Sequence, residues 1–335
     1  MNRADLILCL ETSCDDTSAA IVRGGEILSS VVSSQNELHA VFGGIVPEVA
    51  SRRHTELLNA VVAEAMADAG AGWDDLAAVA VTTHPGLIGA LLVGLSAAKA
   101  IAYVRRLPLI PVSHLQGHIA AAYAVGARAP FVCLVASGGH TLLAVVEEGV
   151  EFRVAGRTLD DAAGEAFDKG ARLLGLPYPG GGELDRLAQR GDPAHTRFPG
   201  ALARRCDFSF SGLKTALLYY LRDRCPDEID EHRADIAASY QAAIVRQLVE
   251  KLVRCAEEEG LEHVAVAGGV AANAGLRSAL ATASAERSLA LYLPPLRLCT
   301  DNAAMVGLAA GFLTPIPWPD FLALDAHAAS GPTAR

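Results

Sequence analysis

The chain reads as an α/β protein made of two copies of one pattern, βββαβαβα. Two observations carry this. Short apolar segments separated by polar or glycine turns come in threes, at 5–10, 17–23 and 26–33, and again at 131–137, 140–147 and 150–156. Each triplet is followed by alternating helical and strand patterns. In the first half these are a helix from Pro47 that ends near Gly70, a strand at 77–82, a helix at about 88–105, a strand near 109–112 and a helix from His114. Proline in a first turn and glycine past the last one are the expected punctuation of a helix. In the second half the first helical stretch is expanded to about 160–259. A strand at 263–267, a helix near 273–285, a strand at 289–293 and a helix from Asp301 complete the repeat. The expected division is an N-terminal domain at 1–127 and a C-terminal domain at 128–314 carrying the 160–259 insertion. A proline-rich tail at 315–335, with Pro315, Pro317, Pro319 and Pro332, is expected to be irregular.

Bulk properties narrow the class. With 335 residues, 51% hydrophobic and 20% charged, the chain is globular and long enough for two cores. No apolar run reads as a membrane span, because Asp, Glu, Arg or Gly interrupts each one. The start, MNRADLILCLETSCDDT, lacks the basic end and long apolar stretch of a signal peptide. Seven scattered cysteines with no CxxC pair argue for a reducing cytoplasm. A net charge of −10 excludes binding nucleic acid through the whole surface, so any RNA contact is local or shared with a partner.

The segment SHLQGH places His114 and His118 one helical turn apart, on one face, as two imidazoles that grip one ion are placed. Asp301 in CTDN offers a third ligand from far along the chain. The plain alternative makes Asp301 the N-cap of a helix beginning at Asn302. Two turns at equivalent places in the duplication, ETSCDDT (11–17) and VASGGHT (135–141), are rich in residues whose backbone N–H groups converge on phosphate. Gly138 and Gly139 leave the main chain bare. Asp15 and Asp16 repel a phosphate, so they act through a metal or water. VAGGVAANAGLR (266–277) is a strand, a glycine turn and a helix, with Asn273 as either ligand contact or helix cap. LDDAAGEAFDKGARLLG (159–175) reads as a helix with Asp161, Glu165 and Asp168 at i, i+4, i+7, and 178–188 opens a further helix on Gly180, Gly181 and Gly182.

The alternating, duplicated pattern resembles the actin-like ATPase (ASKHA) architecture, in which two such domains face a cleft. ETSCDDT, FGGIVPEVASRRH, PGLIGALLVG, HLQGH, SGGHT, DDAAGEAFDK, PGG, FSFSGLKT, AGGVAAN and CTDN occur in this order. Together they resemble the bacterial TsaD (YgjD/Gcp) family, the tRNA N6-adenosine threonylcarbamoyltransferases, from about residue 5 to 313. The resemblance implies transfer of a threonylcarbamoyl group from threonylcarbamoyl-AMP to N6 of the adenosine 3′ of the anticodon, in tRNAs reading ANN codons. It implies one divalent metal per subunit, Fe(2+) with zinc as the alternative, on His114, His118 and Asp301. It implies a substrate site at Val135, Ala136, Ser137, Gly138, Gly139, Asp168, Gly181 and Asn273. It further implies TsaB-like and TsaE-like partner proteins, no membrane, and a homodimer as the alternative state of the chain alone. No catalytic side chain or general base is assigned.

Two rival readings fit the residues less well. A metal-dependent endopeptidase of the zincin type needs a glutamate in HExxH, and HLQGH has none. A nucleotide-dependent scaffold has no use for the two histidines. For tRNA, the local basic candidates are Arg52, Arg53 and His54, then Arg105 and Arg106, then Arg204, Arg205 and Lys214.

Overall fold

The structure, a computed structural model, describes residues 5–200 and 206–329. The first apolar triplet is an antiparallel meander of β1 (Leu6–Glu11), β2 (Asp16–Arg23) and β3 (Glu26–Ser34). A short helix, α1 (Asn36–Ala40), follows, and then α2 (Pro47–Asp68), with Pro47 at its first position. β4 (Leu76–His84), α3 (Ile88–Arg105), β5 (Leu109–Ser113) and α4 (His114–Ala120) follow in turn. The strands lie in the order β3-β2-β1-β4-β5, with β4 and β5 parallel to β1.

The second half repeats this. β6 (Phe131–Ala136), β7 (Thr141–Glu148) and β8 (Glu151–Arg157) form the second meander. The helical expansion resolves into α5 (Ala163–Leu173), α6 (Gly180–Ala188), α7 (Ser211–Arg222), α8 (Pro226–Glu231) and α9 (Arg233–Glu259). β9 (His263–Ala267), α10 (Ala274–Glu286), β10 (Ala290–Tyr292) and α11 (Ala303–Ala310) end the repeat. The sheet order β8-β7-β6-β9-β10 is that of the first sheet, element for element. The duplication read from the sequence is therefore a duplication of topology.

The units differ from the expected division in one respect. One compact unit runs to Ala124 and resumes at Asp301, and the other is Val125–Thr300. The expectation gave 301–314 to the second half, whereas α11 packs in the first unit. The reason is its composition. AAMVGLAA is apolar all round and every one of its residues is buried, so it needs a surface on each side. The α4 helix and the β1–β2 face of the first sheet supply it. A Cβ on Gly307 would come 2.4 Å from Val22 Cγ2 and 2.7 Å from Cys9 Sγ, which shows how closely the helix lies on the sheet.

Over its described residues, 315–329, the tail is irregular apart from one 3-10 turn at Asp320–Ala323, yet it is fixed to the first unit. Ile316 exchanges backbone hydrogen bonds with Leu109 at 2.8 and 3.0 Å, and Phe321 is fully buried. Helix α3 corrects another expectation. Its 18 residues have a mean hydropathy of 1.5, enough by length and composition for a membrane span. Its buried stripe of Leu91, Leu95, Ala98 and Ala102 belongs to the core under the first sheet. The small residues in its sequence made the run look interrupted.

Candidate functional site

Strand β5 hands over to α4 at Ser113, whose N–H donates to Gln116 Oε1 at 3.2 Å. That start fixes the phase of the helix and turns both histidines inward. His114 and His118 are buried, their rings edge to face with centroids 4.6 Å apart. Asn302, not Asp301, is the N-cap of α11, its Oδ1 accepting from Met305 N at 2.9 Å. Asp301 is thereby left out of the cap. Its Oδ1 lies 3.5 Å from His114 Nε2 and 3.3 Å from His118 Nε2. The structure thus brings together the three predicted ligands, and all three belong to the first unit.

The donor set fits a divalent ion. Both ring nitrogens of His118 are buried with no hydrogen-bond partner among the described residues. Buried polar atoms are seldom left so, and an imidazole nitrogen aimed at a carboxylate oxygen is the arrangement a metal satisfies. Burial and the neighbouring His114 push the His118 imidazole below its usual range, toward the neutral form that ligates. His114 is oriented from behind. Its Nδ1 lies 3.1 Å from Glu11 Oε2 and 3.1 Å from Ser13 Oγ, leaving Nε2 for Asp301. A carboxylate behind a ligating histidine raises its basicity and fixes its tautomer. Burial would discharge His114, but the Asp301 and Glu11 carboxylates outweigh it and hold the imidazole up at about 9.

Glu11 was not read from the sequence. It is fully buried and accepts from Ser13 N at 2.6 Å and Thr82 Oγ1 at 2.6 Å. Burial alone would raise its carboxyl, yet His114 and Ser13 hold it below the usual range. The signal was an acid closing an apolar strand, where a charge survives only when paired. Beyond it, burial and then Asp301 raise Asp15, and they raise Asp16 to about 7. This concentration of acids favours a cation and disfavours a phosphate. Of the two turns expected to cradle phosphate, 11–17 is acidic and its Ser13 N–H is already taken by Glu11.

The other turn is open. β6 ends at Ala136, and Ser137 and His140 close the turn through Ser137 N to His140 O at 2.7 Å and His140 N to Ser137 Oγ at 3.1 Å. Val135 and Ala136 are fully buried within the sheet, so they position the turn and present no side chain. Gly138 and Gly139 are exposed, and a Cβ on either would meet nothing within 4 Å. The surrounding glycines are packed instead. A Cβ on Gly164 would fall 2.6 Å from Ser137 O, and one on Gly268, whose φ is +88°, 2.3 Å from Ala136 O. Both hold the backbone close around the turn.

Helix α5 starts at Ala163, later than expected, so Asp160 and Asp161 precede it. Asp160 caps α7, accepting from Phe210 N at 2.7 Å and Ser211 N at 3.2 Å. Asp161 and Glu165 share Lys169 at 2.7 and 2.9 Å. Asp168 Oδ1 accepts from Gly180 N and Gly181 N, each at 2.9 Å, at the start of α6. Asn273 caps α10 through Leu276 N at 2.8 Å, and its Nδ2 donates to Gln241 Oε1 at 2.8 Å. Gln241 in turn donates to Asp185 Oδ1 at 3.1 Å, and neither was read as part of a site. A cavity of about 430 Å³ between α6, α9 and α10 shares Gln241 with this network, but none of the expected substrate residues lines it.

The described basic candidates differ in burial and partners. His54 is fully buried, bonded to Thr17 Oγ1 at 2.8 Å and Cys14 O at 2.9 Å, so it faces no RNA. Arg53 pairs with Glu56 and Arg105 with Asp74, while Arg106 lies over Trp318. Arg52 is exposed and Lys214 half-buried, and Arg204 and Arg205 lie outside the described residues.

Two duplicated sheets define an actin-like fold, and its first unit brings together a His–His–Asp group, both histidines buried, that could hold a metal ion. Residues 26–308 match the profile of TsaD, tRNA N6-adenosine threonylcarbamoyltransferase. The relatives bearing that name include one from Anaeromyxobacter dehalogenans (strain 2CP-1 / ATCC BAA-258), 53% identical over 90% of this chain and 92% of its own. Another, from Geobacter sulfurreducens, is 51% identical over 96% of each chain. The chain belongs to the TsaD family and is a transferase of tRNA modification. Among solved structures, component A of the (R)-2-hydroxyglutaryl-CoA dehydratase of Acidaminococcus fermentans is similar in fold. It has a TM-score of 0.57 at 17% identity over 92% of this chain and 98% of that one. HypF of T. kodakarensis has a TM-score of 0.62 at 16% identity over 91% of this chain and 47% of that one. These likenesses bear out the actin-like fold.

Proposed function

We propose that this chain transfers the threonylcarbamoyl group of threonylcarbamoyl-AMP to N6 of the adenosine 3′ of the anticodon in tRNAs reading ANN codons. The amine attacks the carbamoyl carbon, the carbon–oxygen bond to phosphate breaks, AMP leaves with the electron pair, and N6 gives up a proton. The exocyclic amine is a weak nucleophile, so orientation and stabilisation of the leaving phosphate carry the rate. The observation that supports this reading is the oriented His114–His118–Asp301 group in a chain of this family.

In the second unit the bare backbone at Gly138 and Gly139 takes a phosphate oxygen, with Ser137 closing the turn beneath them and Gly181, Asp168 and Asn273 as further contacts. Asp168 and Asn273 act by holding the starts of α6 and α10, where backbone N–H groups collect. In the first unit the ion is iron(II), with zinc as the alternative, since two imidazoles and a carboxylate suit both. A bound ion supplies Lewis acidity toward an acyl or phosphoryl oxygen. TsaB-like and TsaE-like proteins are the partners, and the exposed Ile88, Leu92, Tyr103 and Val104 on α3 offer apolar surface to a protein. The compartment is the cytoplasm, consistent with seven free cysteines. The endopeptidase and scaffold readings gain nothing from the site.

The test is reconstitution with the partner proteins, threonylcarbamoyl-AMP and a tRNA reading an ANN codon, followed by nucleoside mass spectrometry. Threonylcarbamoyl-adenosine in the wild-type reaction and its loss in His118→Ala are expected. Equal product without the chain would overturn the assignment.

A further inference from the structure

A second group of metal-ligating side chains stands in the helical insertion. His195, His232 and Asp235 offer ligand atoms that all lie within 4.8 Å of one another. His232 is the N-cap of α9 and Asp235 lies in its first turn, while His195 comes from the segment between α6 and α7. Asp235 Oδ2 lies 3.2 Å from His232 Nδ1 and 3.9 Å from His195 Nδ1. The two rings are stacked, with centroids 4.7 Å apart. Two ring nitrogens directed at one carboxylate oxygen attract it only with a proton or a cation between them.

The backbone holds this arrangement in place. Asp235 Oδ1 accepts from Asp192 N at 2.8 Å, which leaves Oδ2 to the histidines. Thr196 N donates to Ser239 Oγ at 3.1 Å. A Cβ on Gly191 would fall 2.1 Å from Ala234 O, so the segment lies directly on the first turn of α9. His195 is also oriented from behind. The tautomer that ligates through Nδ1 carries its proton on Nε2, and the Tyr220 oxygen lies 3.2 Å from that atom. An outer hydrogen bond of this kind is the usual companion of a ligating histidine. The Asp192 amide and His232 hold the Asp235 carboxyl below its usual range.

We infer that His195, His232 and Asp235 form a second site for a zinc-class divalent ion, which fastens the 191–196 segment to α9. Two imidazoles and one carboxylate select this class over calcium or magnesium, which prefer all-oxygen shells. Zinc–nitrogen bonds of about 2.0–2.1 Å place neighbouring ligand atoms roughly 3.3 Å apart. The His232–Asp235 separation already meets this, and His195, on the surface, closes the rest by a small rotation. The site shares no residue with the His114, His118 and Asp301 group.

The experiment is titration of the untagged, chelator-stripped full chain with Zn(2+), followed by calorimetry and elemental analysis after gel filtration. Wild type is expected to take up one equivalent more than His232→Ala, and one more than the independent variant His195→Gln. His118→Ala is expected to keep this equivalent. Stripped wild type is also expected to gain thermal stability with zinc that His232→Ala does not match. Equal zinc uptake by wild type, His232→Ala and His195→Gln would overturn the inference, and each variant's unaltered circular dichroism secures the comparison.

Discussion

His114 Nδ1 lies 3.1 Å from the carboxylate of Glu11, and this contact decides which nitrogen is left to face Asp301. Glu11 thus belongs to the proposed metal centre without being one of its ligands. Replacing it by Gln keeps the size of the side chain and removes the charge. Metal affinity is expected to fall about 10- to 100-fold, the usual cost of losing a partner behind a ligand. Competition with a chelator of known affinity measures it. Unaltered affinity in Glu11→Gln would show that the glutamate only fills space.

His118→Ala should remove the metal held with His114 and Asp301 and most of the transfer activity. Its two ring nitrogens have no hydrogen-bond partner among the described residues, so the substitution leaves none of their groups unpaired there. The fold should therefore survive, and the loss should appear in elemental analysis and not in the melting temperature. Asp301→Ala should weaken metal binding less, if a phosphate oxygen of the ligand takes the vacated position. Full occupancy in His118→Ala would end the assignment of this site.

The repeat of three strands and alternating helices was legible because strand and helix periods are set by local chemistry. The His114–His118 pair was legible because i, i+4 spacing is a local fact. What the sequence hid is long-range. That α11 joins the first unit depends on which face accepts a helix apolar all round, and periodicity does not name that face. Glu11 and Gln241 lie inside apolar segments and act through partners many residues away. Asp160 and Asp161 looked helical because they continue the spacing of α5, but Asp160 is taken by the start of α7. Asn273 read as either a ligand contact or a helix cap, and its carboxamide oxygen caps α10.

The glycines of the second unit divide into two kinds, and substitution should separate them. A Cβ on Gly138 meets nothing within 4 Å, so Gly138→Val should leave the melting temperature within about 0.5 kcal/mol equivalent of wild type. Affinity for an adenylate analogue should nevertheless fall, because the branched side chain covers the bare amides. Gly268→Ala should do the reverse. Its φ of +88° and the 2.3 Å approach to Ala136 O make any side chain strained, at a cost of roughly 1–3 kcal/mol. Calorimetry and thermal melts on the pair decide this, and unchanged analogue affinity in Gly138→Val would move the ligand elsewhere.

Gly307→Ala tests the placement of α11. The added methyl would meet Val22 and Cys9 at 2.4 to 2.7 Å, and overpacking of this kind costs about 1–3 kcal/mol. The helix must lift, and Asp301, two residues before its first turn, must shift from the histidines. Lower stability together with weaker metal binding is expected. A loss of stability with metal affinity intact would mean that the start of α11 is held independently of its packing.

Asp160 offers a test of stability against pH. Its carboxylate accepts from Ser209 Oγ at 2.5 Å, Phe210 N at 2.7 Å, Ser211 Oγ at 2.8 Å and Ser211 N at 3.2 Å. Burial works to raise its carboxyl, but these four bonds prevail and hold it below the usual carboxylate range. The folded group therefore binds its proton less readily than the unfolded one. Its contribution is complete above the unfolded value of about 3.9 and is lost as pH falls through the lower folded value. Asp160→Ala should cost about 1 kcal/mol at neutral pH, the usual loss for a helix cap. The gap between wild type and variant should be constant from neutral pH down to about 5 and should close only in strong acid. Urea melts of both proteins across that range measure it. A gap that opens as pH falls would reverse the sign and show that the protonated carboxyl, not the carboxylate, holds the start of α7.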